Sequence, residues 1–509
     1  MRHPARPMAA LGLATAVALL AGCSGGADSA GESAEIDTLT IQAPYLVTNA
    51  PAEGNDIEVA LEETIGTELD ITWVPNSSYE DKTNITLAGD DIPHVMVIQG
   101  KTPGFVRNAE AGAFWDLTEY LPEYENLATN LPEVQHASSV NGKVYGVFRA
   151  RDVMRTAVIV RKDWLSSLGL DVPTTTDELA AVAQAFTEQD PDGNGTDDTY
   201  GVIIPKWPGA IGTSSPYDVI ETWFGAGNRW AERDGQLVPS FTTDEWLEAV
   251  EYEKSLVDGG YVNPDYATFD SANWNEPFLN GKGGIIIDVH SRAGVLMSLL
   301  KESDPESWEE YVDVTGNLAG PDGELHALPT TGYNGFLAIP KAKVRTEEQL
   351  HAVLAVLNEL NSLEAGRILN NGLEGVTYTL DGDLAVPVPD APQDLADAVL
   401  SFSQLGTNVT GFQGYLPKQP TGFEQEMYDK RKAIEASDLE KAVYDPAAAY
   451  VSETYVSKGS QLDLLVSDAR LQYIAGQIDR DKLESEIDRW RSSGGDQIIA
   501  EINELASAD

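Results

Sequence analysis

From residue 36 onward the chain alternates short β-rich runs with amphipathic runs of helical period, the pattern of α/β domains. TLTIQAPY (38–45) predicts a first strand, IEVALEETIG a helix, LDITWVPN a second strand, KTNITLAGD a helix and PHVMVIQG a third strand. Farther on, TAVIVRKDW reads as a strand and TTTDELAAVAQAFTEQ as a helix opened by a Thr/Asp cap. TYGVIIP, GKGGIIIDV and NGFLAIPK read as strands, and TDEWLEAVEYEKSLVDGG as a helix with a glycine stop. TEEQLHAVLAVLNELNSLEAGRIL predicts one long helix, and the C-terminal third is mostly helical. Several strands end in polar or aromatic residues: Tyr45, Gln99, Trp207 and His290. Ligands of open α/β sheets sit outside such carboxyl ends, so two domains facing each other would form a cleft walled by them.

The first residues have another pattern. Arg2 and Arg6 precede an apolar run over residues 8–20 that is too short to span a bilayer, which reads as a secretory leader. It ends in LAGC, and Cys23 is the only cysteine of the chain, so disulfides play no part. SGGADSAGESAE (24–35) is small and polar and reads as a flexible tether. The division is therefore a leader over 1–22, a tether over 23–35 and a folded body from 36.

With 509 residues, 42% of them hydrophobic, the chain can fill two cores. Acids outnumber bases 82 to 33, a net charge of −49 that repels phosphate backbones and excludes nucleic acid as a partner. An enzyme acting on glycans needs two carboxylates about 5–10 Å apart, but among so many acids a pair is always available and proves nothing. No G-x-S-x-G, H-E-x-x-H or glycine-rich phosphate loop is present, and the six histidines are scattered. The expectation is a protein without catalytic residues.

The stretches LAGDDIPHVMVI (87–98), NGKVYGV (141–147), FLNGKGGIIID (278–288), NNGLEGVTYT (370–379) and LQYIAGQID (471–479) carry a further signal. So does the long segment from VRKDWLSSLGLDVP (160–173) through DPDGNGTDDTYGV (190–202). In their order and spacing the chain resembles the extracellular solute-binding lipoproteins of ABC importers, in the long branch associated with oligosaccharide uptake. That resemblance implies an α/β, two-lobed, periplasmic-binding-protein-like (type II) fold with hinge crossovers. The lobes would comprise 36–155 with 335–390, and 156–334 with 391–509. It implies a monomer that captures a solute, most readily an oligosaccharide, and delivers it to a membrane permease. LAGC resembles a lipobox, which makes Cys23 the acylated residue anchoring the protein to the outer face of the cell membrane. A surface glycan or peptide receptor that does not transport uses the same cleft and stands as the alternative.

DPDGNGTDD places Asp190, Asp192, Asn194, Thr196 and Asp198 at positions 1, 3, 5, 7 and 9 of a calcium loop, with Gly195 at the sharp turn. Position 12, a bidentate Glu in calcium sensors, is Gly201, and the flanks are a helix and a strand rather than two helices. A sensor is thus disfavoured; an ion-free acidic turn and a structural calcium remain. Related binding proteins carry such a loop with an ion and a further ligand about where Thr199 stands, which favours structural Ca²⁺.

A sugar pocket needs aromatic platforms and planar hydrogen-bonding groups. Trp73, Trp164 and Trp490 follow strand or helix periods and read as packing. Trp207 between prolines, Trp223 and Trp230 around a glycine-rich loop, Trp274 in a polar segment, and His290 with Arg292 after a buried strand are candidates. In sugar-binding relatives the positions of Trp207 and of the His290–Arg292 turn line the cleft. Tyr45 and Gln99 would come from the other lobe. Arg151 and Asp152 would lie at the first crossover, and Tyr333, Glu374 and Tyr378 near the later ones.

Overall fold

A computed structural model describes residues 36–508; the expected leader, Cys23 and the tether lie outside them. Strands β1 (Thr38–Tyr45), β2 (Glu68–Pro75), β3 (Val95–Ile98) and β4 (Val147–Ala150) come first. The chain then makes β5 (Thr156–Arg161), β6 (Tyr200–Val202), a hairpin of β7 (Trp230–Arg233) and β8 (Gln236–Pro239), β9 (Gly283–Val289) and β10 (Val312–Thr315). It returns through β11 (Tyr333–Ala338) and adds a small ribbon of β12 (Tyr378–Asp381), β13 (Leu384–Pro387) and β14 (Leu416–Pro417). Two main sheets result, ordered β2-β1-β3-β11-β4 and β10-β5-β9-β6.

Each sheet has its own core, because its inner strands are apolar on both faces and need cover on both. In the second sheet, Val158 and Val160 of β5 face one cluster, with Trp164, Phe186, Trp223 and Trp246. Ala157 and Ile159 face the other, with Trp274, Phe278 and Trp308. Alternation along one strand thus divides two buried layers. The first core gathers Leu39, Ile41, Val95, Val97, Phe336 and Leu337. It also takes Leu395, Ala398 and Phe402 from the helix Gln393–Phe402, and Leu405 and Val409 beyond it. That helix thus buries its apolar face on the first sheet's core.

The stretch expected to be one long helix is two, Glu347–Leu360 and Leu363–Asn371. At the break Asn361 Oδ1 accepts the backbone N–H and the hydroxyl of Thr407 at 2.7 and 2.9 Å. Ser362 then caps the second helix by accepting the Ala365 N–H. Side-chain bonds to the main chain here replace helix continuation.

The crossings between sheets are tied side by side. Arg151 N–H donates to the Gly332 carbonyl at 2.9 Å, Thr330 N–H to Val153 at 2.8 Å, and Ala150 N–H to Thr407. Farther along, Ala327 and 441–443 exchange backbone bonds of 2.9–3.0 Å. Among the described residues no helix is long and apolar enough to cross a membrane.

Candidate functional site

At the end of β9 the chain turns directly into the helix Ser291–Ser303, which throws His290 and Arg292 toward the crossings. His290 is buried, with Nε2 2.7 Å from Glu435 Oε1. Arg292 is held by Asp288, donates to Asn275 Oδ1 at 2.6 Å, and lies with its guanidinium carbon 4.2 Å from the centre of the Trp274 ring. Trp274 is buried and its indole N–H donates to the Ile203 carbonyl at 3.0 Å. Trp207 meets it edge-on at 6.0 Å between centroids and stays half-buried, its own N–H donating to the Thr213 hydroxyl at 2.9 Å. Trp207 is thus a partly open ring on a fixed backing, which is what stacking on a sugar face requires.

The run continues through His290 to the first crossing. Asp152, His290 and Glu435 bring ligand atoms within 4.8 Å of one another. Burial works to raise the Glu435 carboxyl, but neighbouring His290 and Lys432 outweigh it and hold the pKa below the usual value. Beside them lies a hollow of about 380 Å³ walled by Arg151, Asp152, Phe412, Lys432 and Leu439. Phe412 leaves 51% of its surface open there. Sequence reasoning missed Phe412, Lys432 and Glu435. The only signal was an aromatic between glycines in GFQG, in a segment without period.

The remaining candidates divide. Tyr45 is half-buried and Gln99 exposed at the ends of β1 and β3, with the Gln99 amide donating to Asn76 at 2.7 Å. Trp223 is not a platform: it is fully buried and donates to Asn317 at 2.9 Å, because its helix, Pro216–Trp223, is covered on all sides. Tyr378 is buried against Tyr415 on the small ribbon, and Glu374 is exposed beside it. Tyr333 walls a different, larger hollow of about 990 Å³ with Lys101, His136, Arg229 and Tyr455. Burial pushes its phenol up to about 12.

In the loop over 190–198, Asp190 takes a left-handed φ of 46° and accepts the N–H groups of Asn194 and Gly195 at 3.1 and 2.9 Å. Asp192 and Asp198 both accept from the side-chain amide of Asn194, at 2.7 and 3.3 Å. Carboxylates from two positions thus flank the Asn194 side-chain amide, whose O and N are exchangeable by rotation, and a third holds its backbone N–H. This oxygen set fits calcium. Two features limit it. Lys282 already pairs with Asp198, and the Thr199 hydroxyl is buried and donates to the Phe186 carbonyl at 2.7 Å, so it ties down a helix end instead of joining the loop.

Residues 48–365 match the family model described as bacterial extracellular solute-binding protein. Over 495 residues the chain is 41% identical to the Bacillus subtilis "Lipoprotein LipO", covering 97% of both. It is 31% identical to the "Polygalacturonan/rhamnogalacturonan-binding protein YtcQ" of the same organism, covering 96% of this chain and 95% of that one. Among solved structures, an HMO-binding, ABC-transporter-associated solute-binding protein from Bifidobacterium longum infantis superposes with a TM-score of 0.68 at 17% identity. That superposition covers 92% of this chain and 98% of the other, and shares the two-lobed α/β architecture. On the family match and these relatives, the chain belongs to the bacterial extracellular solute-binding proteins.

Proposed function

We propose that this protein captures an oligosaccharide between its lobes and hands it to the permease of an ABC importer. The observation that carries the reading is the partly open Trp207 ring, backed by Trp274 and Arg292 and continuous through His290 with Asp152, Arg151 and Phe412 at the crossing. Apolar rings flanked by planar charged groups suit the alternating CH faces and hydroxyls of a sugar chain. The name of YtcQ, a polysaccharide-binding relative, supports the same class. No catalytic role is assigned to any residue.

Within this reading a lipid on Cys23 anchors the protein outside the cell membrane, consistent with the name of LipO. A calcium ion held by Asp190, Asp192, Asn194, the Thr196 carbonyl and Asp198 would staple the helix Thr176–Glu188 to β6, away from the capture surface. Thermal-shift screening against a panel of oligosaccharides, followed by scattering with and without the best one, tests the proposal. A stabilising sugar and a smaller radius of gyration are expected. Turnover of a chromogenic glycoside above background refutes it.

A further inference from the structure

The crossing carries charge of the opposite sign to the protein. Carboxylates outnumber bases 82 to 33 over the chain. Two arginines of the first crossing nevertheless make no bond to a carboxylate, as is also true of Arg149, Arg345 and Arg367, which instead donate to carbonyls or lie on a ring. Arg151 is exposed on the wall of the smaller hollow, and its side chain has no hydrogen-bond or ion-pair partner among the described residues. Arg155 is half-buried and equally without a bonded partner there; burial first, and then the charge of Arg151, press its pKa downward. The acids nearby are engaged elsewhere. Asp288 holds Arg292, Glu435 sits between Lys432 and Arg431, and Asp152 lies 3.9 Å from Lys432. Five basic side chains, Arg151, Arg155, Arg292, Arg431 and Lys432, thus gather around Asp152, Asp288 and Glu435; the attraction of these three acids for Arg155 is outweighed by burial and by Arg151, and none of them bonds Arg151 or Arg155.

We infer that Arg151 and Arg155 form the seat for a carboxylate of the solute, so that the captured oligosaccharide is an acidic one built from uronic acids. This rests on the proposed capture function. A guanidinium offers a planar fork that matches a carboxylate with two parallel hydrogen bonds. The open ring of Phe412, in the hollow that Arg151 walls and Arg155 adjoins in sequence, supplies an apolar face for the sugar that bears it. A neutral sugar would close the lobes over two cations and leave them without partners, which is costly in a desolvated site.

The test is calorimetric titration of the purified protein with trigalacturonate and triglucuronate, their methyl esters, maltotriose and a sulfated maltotriose. One of the two acids is expected to bind at least tenfold tighter than its own ester, with affinity falling as salt rises. Arg151→Gln and Arg155→Gln should each weaken that binding about tenfold, with thermal melting as the check on folding. An ester or maltotriose binding as tightly as the acids overturns the acidic class and leaves capture standing. Binding of the sulfated sugar alone overturns the carboxylate. Wild-type affinity in both variants removes the seat, and no binding by any of these sugars overturns the capture function as well.

Discussion

Glu253→Gln should flatten the pH dependence of the second lobe's stability. Three carboxylates and one guanidinium are buried together there: Arg470 bonds Asp218 at 3.0 Å and Glu221 at 2.7 Å, while both oxygens of Glu253 lack a partner. Burial pushes the Glu221 carboxyl up to about 7, and burial with the neighbouring Glu221 charge drives Glu253 well above its ordinary value. In the unfolded chain both ionise near ~4.3. Between that pH and their folded values the native state holds more protons than the unfolded one, so stability falls as pH rises, by about 1.4 kcal/mol per pH unit per group. From pH 5 to 7 both groups act in this direction, Glu221 removing on the order of 2 kcal/mol and Glu253 adding its own share. The variant keeps the shape and loses that share. Denaturant unfolding followed by tryptophan emission suits this lobe, since Trp164, Trp223, Trp246 and Trp490 are all buried in its core. Measured at pH 5, 6, 7 and 8, the difference between variant and wild type should grow steadily in favour of the variant as pH rises, at no more than about 1.4 kcal/mol per pH unit. Parallel curves would refute the buried-proton account.

Trp207→Ala should weaken oligosaccharide binding by about 1–2 kcal/mol in calorimetry, the loss expected for one stacked ring, and leave melting little changed. Trp223→Phe should do the reverse, lowering the melting temperature through the lost bond to Asn317 and the cavity, with affinity kept. If calcium binds the loop at a hundredfold excess over Kd, a chelator should cost about 3 kcal/mol of stability, and Asp190→Asn should make the protein insensitive to it. Gly201→Ala should lower melting whether or not calcium is present, because its Cβ would lie 2.5 Å from Ala183 Cα.

Inner strands such as β3 and β9 were legible as apolar runs buried on both faces, and β1 by the alternation that opens TLTIQAPY, which corresponds to it residue for residue. The helix 176–188 was legible from its first turn, where Thr175 and Glu178 form a reciprocal capping box. What failed was whatever depends on distant partners. The break at Asn361 had one local sign, the cap residue Ser362, but the bonds that turn the Asn361 oxygen away from the helix come from the distant Thr407. The same holds for tryptophans. Trp207 and Trp223 both sit beside loops, yet the first keeps an open face and the second is sealed by Asn317 and the packing around its helix. Sequence shows which aromatics could line a cleft; only packing decides which retain a surface.

The loop over 190–198 shows how the two levels join. Its departure from a sensor loop, glycine at position 12, looks in the sequence like a lost ligand. In the fold that position belongs to β6, which pairs with β9 and runs against the helix 176–188, with Gly201 against Ala183. A glutamate there could not reach back to the loop without displacing the helix, so a two-helix sensor geometry is closed to this topology. Thr199 is spent on the helix end as well, through its bond to Phe186. Any ion would therefore be held by ligands from 190–198 with water completing the shell, a site that fixes a helix to a strand and has no second helix to move. Its effect would belong to stability, apart from the capture surface proposed at the strand ends and the crossing.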